Sequence, residues 1–192
     1  AAGLDWRQTS RLRACCKYLL QTEVPFAQAY MEQTLCKYPL HARLLVELFE
    51  AKFDPAREQP SRTVADAARK RMARELAPLF GEEMDRLHPH LIESLGAVRG
   101  EARERQVEAA VKAIGAVMDS VESVDEDRIL RSFMAVIRAC LRTSFYQLHD
   151  GRPREVVSYK LDPSKLPDLP KPRPYREIFV YGPRVEGVHL RF

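Results

Sequence analysis

Six prolines fall within the 22 residues from Pro153 to Pro174. Each fixes φ and lacks a backbone donor, so no long helix can run through the stretch, which is largely extended. The chain is thereby divided. Upstream, apolar residues recur at helical spacing; downstream, "REIFVYG" and "RVEGVHLR" are β-rich and separated by Gly182-Pro183, a turn signal. The expected fold is mainly α. A multi-helix domain covers residues 1–149, with three short helices in 1–54 and longer helices in 61–149. A largely extended proline-rich connector, residues 150–174, leads to a short β-hairpin-like element at 175–192; inside the connector "EVVSYKLD" alternates as a strand does.

The helical reading rests on caps and stripes. Asp5 followed by Gln8 is a capping pair, and Leu12, Cys15/Cys16, Leu19 and Leu20 continue at helical spacing. Pro25 suits the first turn of a second helix carried by Phe26, Tyr30, Met31, Thr34 and Leu35, and Pro39 enforces a break or restart. In the third segment Leu44, Leu45, Leu48 and Phe49 form one stripe that ends at Asp54-Pro55. After a polar loop, Ser61 or Thr63 starts a long periodic stretch through Val64, Ala68, Met72, Leu76, Leu79/Phe80, Leu87, Leu91 and Leu95. Pro78 and Pro89 divide it into two or three helices. "VEAAVKAIGAVMDSV" is an Ala/Val-rich amphipathic helix whose small residues allow close approach.

The strongest local signal is "ESVDEDRILRSFMAVIRACLRTSFYQLH". Ser123 and Glu126 form a capping-box pattern, and Asp125, Glu126 and Asp127 place negative charge where the helix dipole favours it. Ile129, Phe133, Val136/Ile137, Cys140/Leu141 and Leu148 make one stripe, broadened by Leu130, Met134 and Phe145. A helix apolar over so much of its girth is expected to be the core helix.

Chemistry is sparse. The eight glycines are scattered singly, so no phosphate-cradling loop exists, and no Ser-His-Asp spacing or nucleophile elbow is present. His88 and His90 flank Pro89 without a third ligand, which reads as a surface helix break. Cys15, Cys16, Cys36 and Cys140 have no metal spacing and read as small buried thiols in a reduced cytoplasm. Net charge is +4. From Arg57 to Glu75 six basic residues (Arg57, Arg62, Arg69, Lys70, Arg71, Arg74) stand against Glu58, Asp66 and Glu75. Without interleaved aromatics this is a solvated helix face rather than a nucleic-acid footprint. Arg128, Arg131, Arg138 and Arg142 likewise read as a polar face paired with neighbouring acids. No apolar run approaches the length of a membrane span, and no export signal opens the chain, so the expected location is the cytoplasm.

The stretch from "DEDRILRSFMAVIRACLRTSFYQ" through "SYKLDPSKLPDLPKPRPYREIFVYGPRVEGVHLR" closely resembles the large-type NAD-specific glutamate dehydrogenases of bacteria. "GLDWRQ" and "KFDP" near the start are similar more loosely. The resemblance implies a helical stretch between N-terminal regulatory modules and a C-terminal catalytic domain, with residues 175–192 as the first strands of that domain. It implies a parent enzyme that oxidatively deaminates L-glutamate to 2-oxoglutarate and ammonia with NAD as cofactor. The family's glycine-rich segment and active-site lysines match no position here, and Phe192 stands where the family has glycine. No catalytic, cofactor-binding or metal residue is therefore assigned, and the segment alone is expected to be inactive and to hold no NAD. Its expected partners are the parent's other domains and neighbouring subunits, with neither nucleic acid nor membrane. The alternative is a free-standing helical protein-interaction module. On either reading the strands at 175–191, with Ile178, Val180 and Val188 exposed beside unpaired backbone groups, are expected either to dock back on the helices or to pair with a second molecule, and residues up to Leu148 to fold without them.

Overall fold

The computed structural model describes residues 2–57, 62–79 and 88–192. Among these, seven α-helices precede a small antiparallel sheet: α1 Trp6–Leu19, α2 Gln28–Lys37, α3 Pro39–Phe53, α4 Arg62–Leu76, α5 His88–Ala97, α6 Arg103–Met118 and α7 Val124–Ala139. The strands are β1 Cys140–Thr143, β2 Leu148–His149, β3 Arg152–Pro153, β4 Val157–Leu161, β5 Arg176–Tyr181 and β6 Glu186–Arg191. The fold is mainly α, as the helical spacing implies.

Local signals set most helix ends. The Asp5 side chain accepts from the Gln8 backbone N–H, and the Gln8 side chain accepts from the Asp5 N–H, closing the capping box of α1. Pro39 opens α3 at its first position, where a missing donor costs nothing. Pro25 does not play that part for α2, whose N-cap is Ala27. Pro78 lies in the 3-10 turn that closes α4, and Pro89 in the first turn of α5, so among the described residues the periodic stretch contributes two helices, α4 and α5. Met72, Leu76, Leu91 and Leu95 are buried as the periodicity requires. Ser61, Phe80 and Leu87, and the side chains of Val64 and Ala68, lie outside the described residues.

The central helix is α3, not α7. Every residue from Leu40 to Ala51 is buried, because α3 packs against α1, α2, α6 and α7. α6 approaches closely through Ala110, Ala113, Ile114 and Val117. α7 buries Ile129, Leu130, Phe133, Val136 and Ile137, while Arg128, Arg131 and Arg138 stay outside. Ser123 caps α7 by accepting from the Glu126 N–H, but the reciprocal half of the box is absent. The Glu126 carboxylate instead accepts from Lys37 Nζ (2.7 Å) and Tyr38 Oη (2.7 Å), tying α7 to the α2–α3 corner.

The apolar stripe through Leu148 does not continue as helix. α7 stops at Ala139, and Cys140 turns directly into β1, which pairs antiparallel with β4. Leu141 and Leu148, expected on the buried stripe, are exposed, and Arg142 sits on a strand rather than on the arginine face of α7. The physical cause is tertiary. β4, supplied from beyond residue 150, offers ladder hydrogen bonds that local helical spacing cannot match.

The terminal strands consequently have partners. A four-stranded antiparallel sheet runs β1-β4-β5-β6, so the C-terminal hairpin β5–β6 is extended on its β5 side by two more strands. β4 alternates buried and half-buried residues along its length, as "EVVSYKLD" predicts. The β5–β6 turn is at Gly182, whose N–H bonds the Val185 carbonyl (2.9 Å). A Cβ at Gly182 would come within 2.8 Å of Val156 Cγ2, so the turn requires glycine for space. The proline-rich stretch is not a free connector: Pro163, Leu166, Leu169 and Pro174 are buried, and its 3-10 turn rests on α7.

Candidate functional site

What the chain builds is a closed seam between helices and sheet. Tyr18 on α1 meets Phe179 on β5 edge-on, ring centroids 5.5 Å apart, and donates its hydroxyl hydrogen bond to the Glu177 carboxylate. Phe49 on α3 contacts Phe145 (5.7 Å) and Tyr159 of β4 (6.3 Å), and Tyr159 stacks on Phe179 (6.3 Å). Ile137 of α7 and Cys140 complete the lining. The residual void there is about 10 Å³, no more than one water's worth, so the seam is filled by side chains. It carries neither a substrate cleft nor a nucleophile–base pair.

Polar ties rim the seam. Arg7 donates to the Phe145 carbonyl (3.0 Å) and stands 4.9 Å over the Phe145 ring. Lys52 of α3 donates to the carbonyls of Ile137 (3.1 Å) and Arg138 (2.5 Å), satisfying acceptors at the C-terminus of α7. Burial lowers the Lys52 ammonium to about 8. Arg128 reaches Asp168 (3.4 Å), and Lys17 reaches Glu186 (3.6 Å).

Behind the seam lies a buried charge cluster centred on α3. Glu47 accepts two bonds from Arg57 (2.7 and 3.1 Å) and one from Arg99 (2.9 Å). Glu50 accepts from Arg57 (2.6 Å), Arg11 (2.8 Å) and Gln8 (3.2 Å). Burial alone would raise the Glu50 carboxyl, but the Arg57 and Arg11 charges overcome it and hold the group at about 2. Glu47 is lowered in the same way, against its burial, by Arg57 and Arg99. This cluster fastens α1, α3, the 3-10 turn after α3 and the 3-10 turn Val98–Gly100 to one another. Sequence reading placed Arg57 on a solvated face; it is buried because Glu47 and Glu50 on α3 require a cation beside them.

The remaining candidates are dispersed. His90 is exposed on α5, and His88 opens that helix. Arg131 pairs with Asp127 (2.8 Å) along α7 and Arg128 with Asp168, which bears out two members of the expected paired face. Cys15, Cys16 and Cys140 are buried, and burial pushes Cys16 up to about 11 and Cys140 up to about 12, so they pack as apolar groups. Cys36 departs from that expectation: it lies exposed on the outer side of α2. Among the described residues no group of three His, Cys, Asp or Glu side chains is placed to hold a metal ion. The residues that matter structurally, Tyr18, Glu47, Glu50, Arg99 and Glu177, were not marked out by sequence reasoning. A signal did exist for two of them, since Glu47 and Glu50 interrupt an otherwise apolar run.

Comparison with known proteins accounts for both halves. Residues 1–55 match the family described as glutamate dehydrogenase, helical motif 3. Residues 113–192 match the bacterial NAD-glutamate dehydrogenase catalytic domain, a range that begins inside α6, well ahead of residue 175. An NAD-specific glutamate dehydrogenase of Mycobacterium tuberculosis is 39% identical over 193 residues, covering 100% of this chain. Those of Halomonas elongata and Pseudomonas aeruginosa are each 36% identical over 191 residues, covering 99%. The chain spans 9% of the length of each of these relatives. The "DEDRILR" to "VEGVHLR" stretch and the helical start thus have the same source, and the chain belongs to the bacterial NAD-glutamate dehydrogenase family.

Proposed function

We propose that this chain is a non-catalytic interdomain segment of a large NAD-dependent glutamate dehydrogenase, seating the first strands of the catalytic domain on a helical platform. The whole enzyme, on this reading, oxidatively deaminates L-glutamate to 2-oxoglutarate and ammonia in the cytoplasm, with NAD accepting the hydride. Its partners are the other domains of the same enzyme and neighbouring subunits. The observation that carries the reading is the close-packed seam between α1, α3, α7 and the sheet, where Tyr18, Phe49, Tyr159 and Phe179 leave almost no void. A close-packed joint transmits position rigidly, and rigid placement is what a catalytic half-domain needs from its support. No helix among the described residues is long and apolar enough to cross a membrane.

The residues present do not fit NAD. A dinucleotide pyrophosphate is held where a strand turns through glycines into a helix. Here all seven described α-helices precede β1, the sheet is antiparallel, and the glycines are isolated. No step of the redox chemistry is assigned to this chain. The test is direct: the purified chain, freed of contaminating enzyme, is expected to neither produce NADH from glutamate and NAD nor bind NAD in a calorimeter. Glutamate-dependent NADH production by it would overturn the reading.

A further inference from the structure

The C-terminal half of α4, with Arg71 and Arg74, faces the Arg57 and Arg99 side of the buried charge cluster across a cavity of about 400 Å³. Its floor is Arg57 and Arg99, each almost wholly buried, and its rim is Arg71 and Arg74 of α4, with Asp54 at one side. Among the described residues the cavity lining is mostly cationic. Arg11, Arg57 and Arg99 share, among the described residues, Glu47 and Glu50. Arg43 and Arg71 share only Glu75, the latter at 3.8 Å, and Arg74 has no ion pair among the described residues. The Asp54 carboxylate is turned to the Ala56 backbone N–H (2.9 Å). Of the described residues that line the cavity, Arg57, Arg71, Arg74 and Arg99 are cationic and Asp54 is the one carboxylate.

A second observation points the same way. The Nε–H groups of Arg57 and Arg99 are buried without a hydrogen-bond partner, and buried donors are rarely left so. At Arg99, burial and, after the attraction of Glu47, the repulsion of Arg57 lower the guanidinium from its ordinary value, with Arg71 adding to the repulsion. A structure that leaves cations facing one another across open space is stabilised by an anion between them.

We propose that this cavity is a binding site for one small doubly charged oxyanion, a phosphate group or a dicarboxylate, clamped between the buried Arg57–Arg99 floor and the Arg71–Arg74 rim. Guanidinium groups suit both ligand types, because their planar forks match the oxygen spacing of carboxylate and phosphate alike. The bound anion joins α4 to the α3–α6 platform, which the described ion pairs otherwise do only through Arg43 and Glu75.

Calorimetric titration of the purified protein with inorganic phosphate, and separately with succinate, at fixed ionic strength tests the proposal, with chloride as the control. The expected result is saturable one-to-one binding of at least one dianion and none of chloride; which dianion binds identifies the ligand type. Arg71→Ala with Arg74→Ala alters only exposed side chains, and is expected to weaken binding about tenfold or more, since charge-assisted bonds are lost. Arg74→Glu alone is expected to weaken it as well. Absence of saturable binding with both dianions, or affinity unchanged in the rim variants, overturns the site.

Discussion

The Tyr18 hydroxyl of α1 donates to the Glu177 carboxylate of β5, joining residues 159 positions apart in one buried contact. Glu177 is 3% exposed and Tyr18 1% exposed. Burial first, and then the Glu177 carboxylate, push the Tyr18 phenol well above its ordinary value, so Tyr18 remains a donor throughout the pH range in which the protein is handled. Tyr18→Phe keeps the ring against Phe179 and removes only the donor. Leaving a buried carboxylate without this bond is expected to cost about 1–3 kcal/mol. Urea unfolding measures it, and a Tyr18→Phe midpoint equal to that of the unaltered chain would show that the contact does not hold the sheet.

The charge cluster makes stability depend on pH with a definite sign. Glu50 is held at about 2, below its ordinary 4.5. A carboxylate whose folded value is depressed contributes stability that is fully present above its unfolded value and is lost as pH falls toward the folded one. Glu50→Gln is therefore expected to destabilise by about 3–5 kcal/mol at pH 7, because Arg57 and Arg11 lose a buried partner. That difference from the unaltered chain should shrink as pH drops from 4.5 toward 2. A difference constant across that window would mean that Glu50 acts through shape rather than charge.

α7 offers a test of which face is inside. Phe133 and Ile137 are fully buried, and Arg131 is a surface residue paired along the helix with Asp127. Phe133→Ala and Ile137→Ala are each expected to cost about 2–5 kcal/mol, and Arg131→Ala under about 0.5 kcal/mol. Coincident urea midpoints for Phe133→Ala and Arg131→Ala would mean that the helix is rotated.

These residues also show what a sequence discloses. The Asp5–Gln8 box, the restart at Pro39 and the alternation of β4 were legible because each is decided within a few neighbouring residues. The Asp150-Gly151 pair, with φ of 50° and 71°, was equally local: it is a two-residue hairpin signal joining β2 to β3, and only its change of composition was read. The end of α7 at Ala139 was not legible. Cys140 and Phe145 keep helical spacing and are both buried, so periodicity continues where the backbone has already become strand. What overrides it is Cys140 opposite Leu161, a pairing that no window around residue 140 contains. The burial of α3 was hidden in a different way. Glu47 and Glu50 look like a solvated side until Arg11, Arg57 and Arg99 arrive from three other segments.

Of the two expected fates of the terminal strands the fold shows docking back, and because the sheet shares the helical core, residues up to Leu148 are not expected to stand alone. Ile178, Val180 and Val188 are half-buried rather than exposed, and β5 is bonded on both sides, by β4 and β6. Ending the chain after Leu148 removes Val157, Tyr159, Leu161, Leu166, Leu169 and Phe179 from the common core and uncovers Tyr18 and Phe49. Burying one such side chain contributes about 1.5–3 kcal/mol, so six together reach or exceed the whole of a typical domain's roughly 5–15 kcal/mol. The shortened chain is expected to lose its cooperative unfolding transition and to associate through the exposed aromatics. In the full chain, amide exchange should be slow at the central strand β5, while β6, at the outer edge of the strand order, should exchange faster on its unpaired side. Calorimetry of the shortened chain and hydrogen exchange of the full one decide the matter. A shortened chain that melts as sharply as the full one, together with rapid exchange throughout 176–181, would mean that the sheet rests on the helices without supporting them.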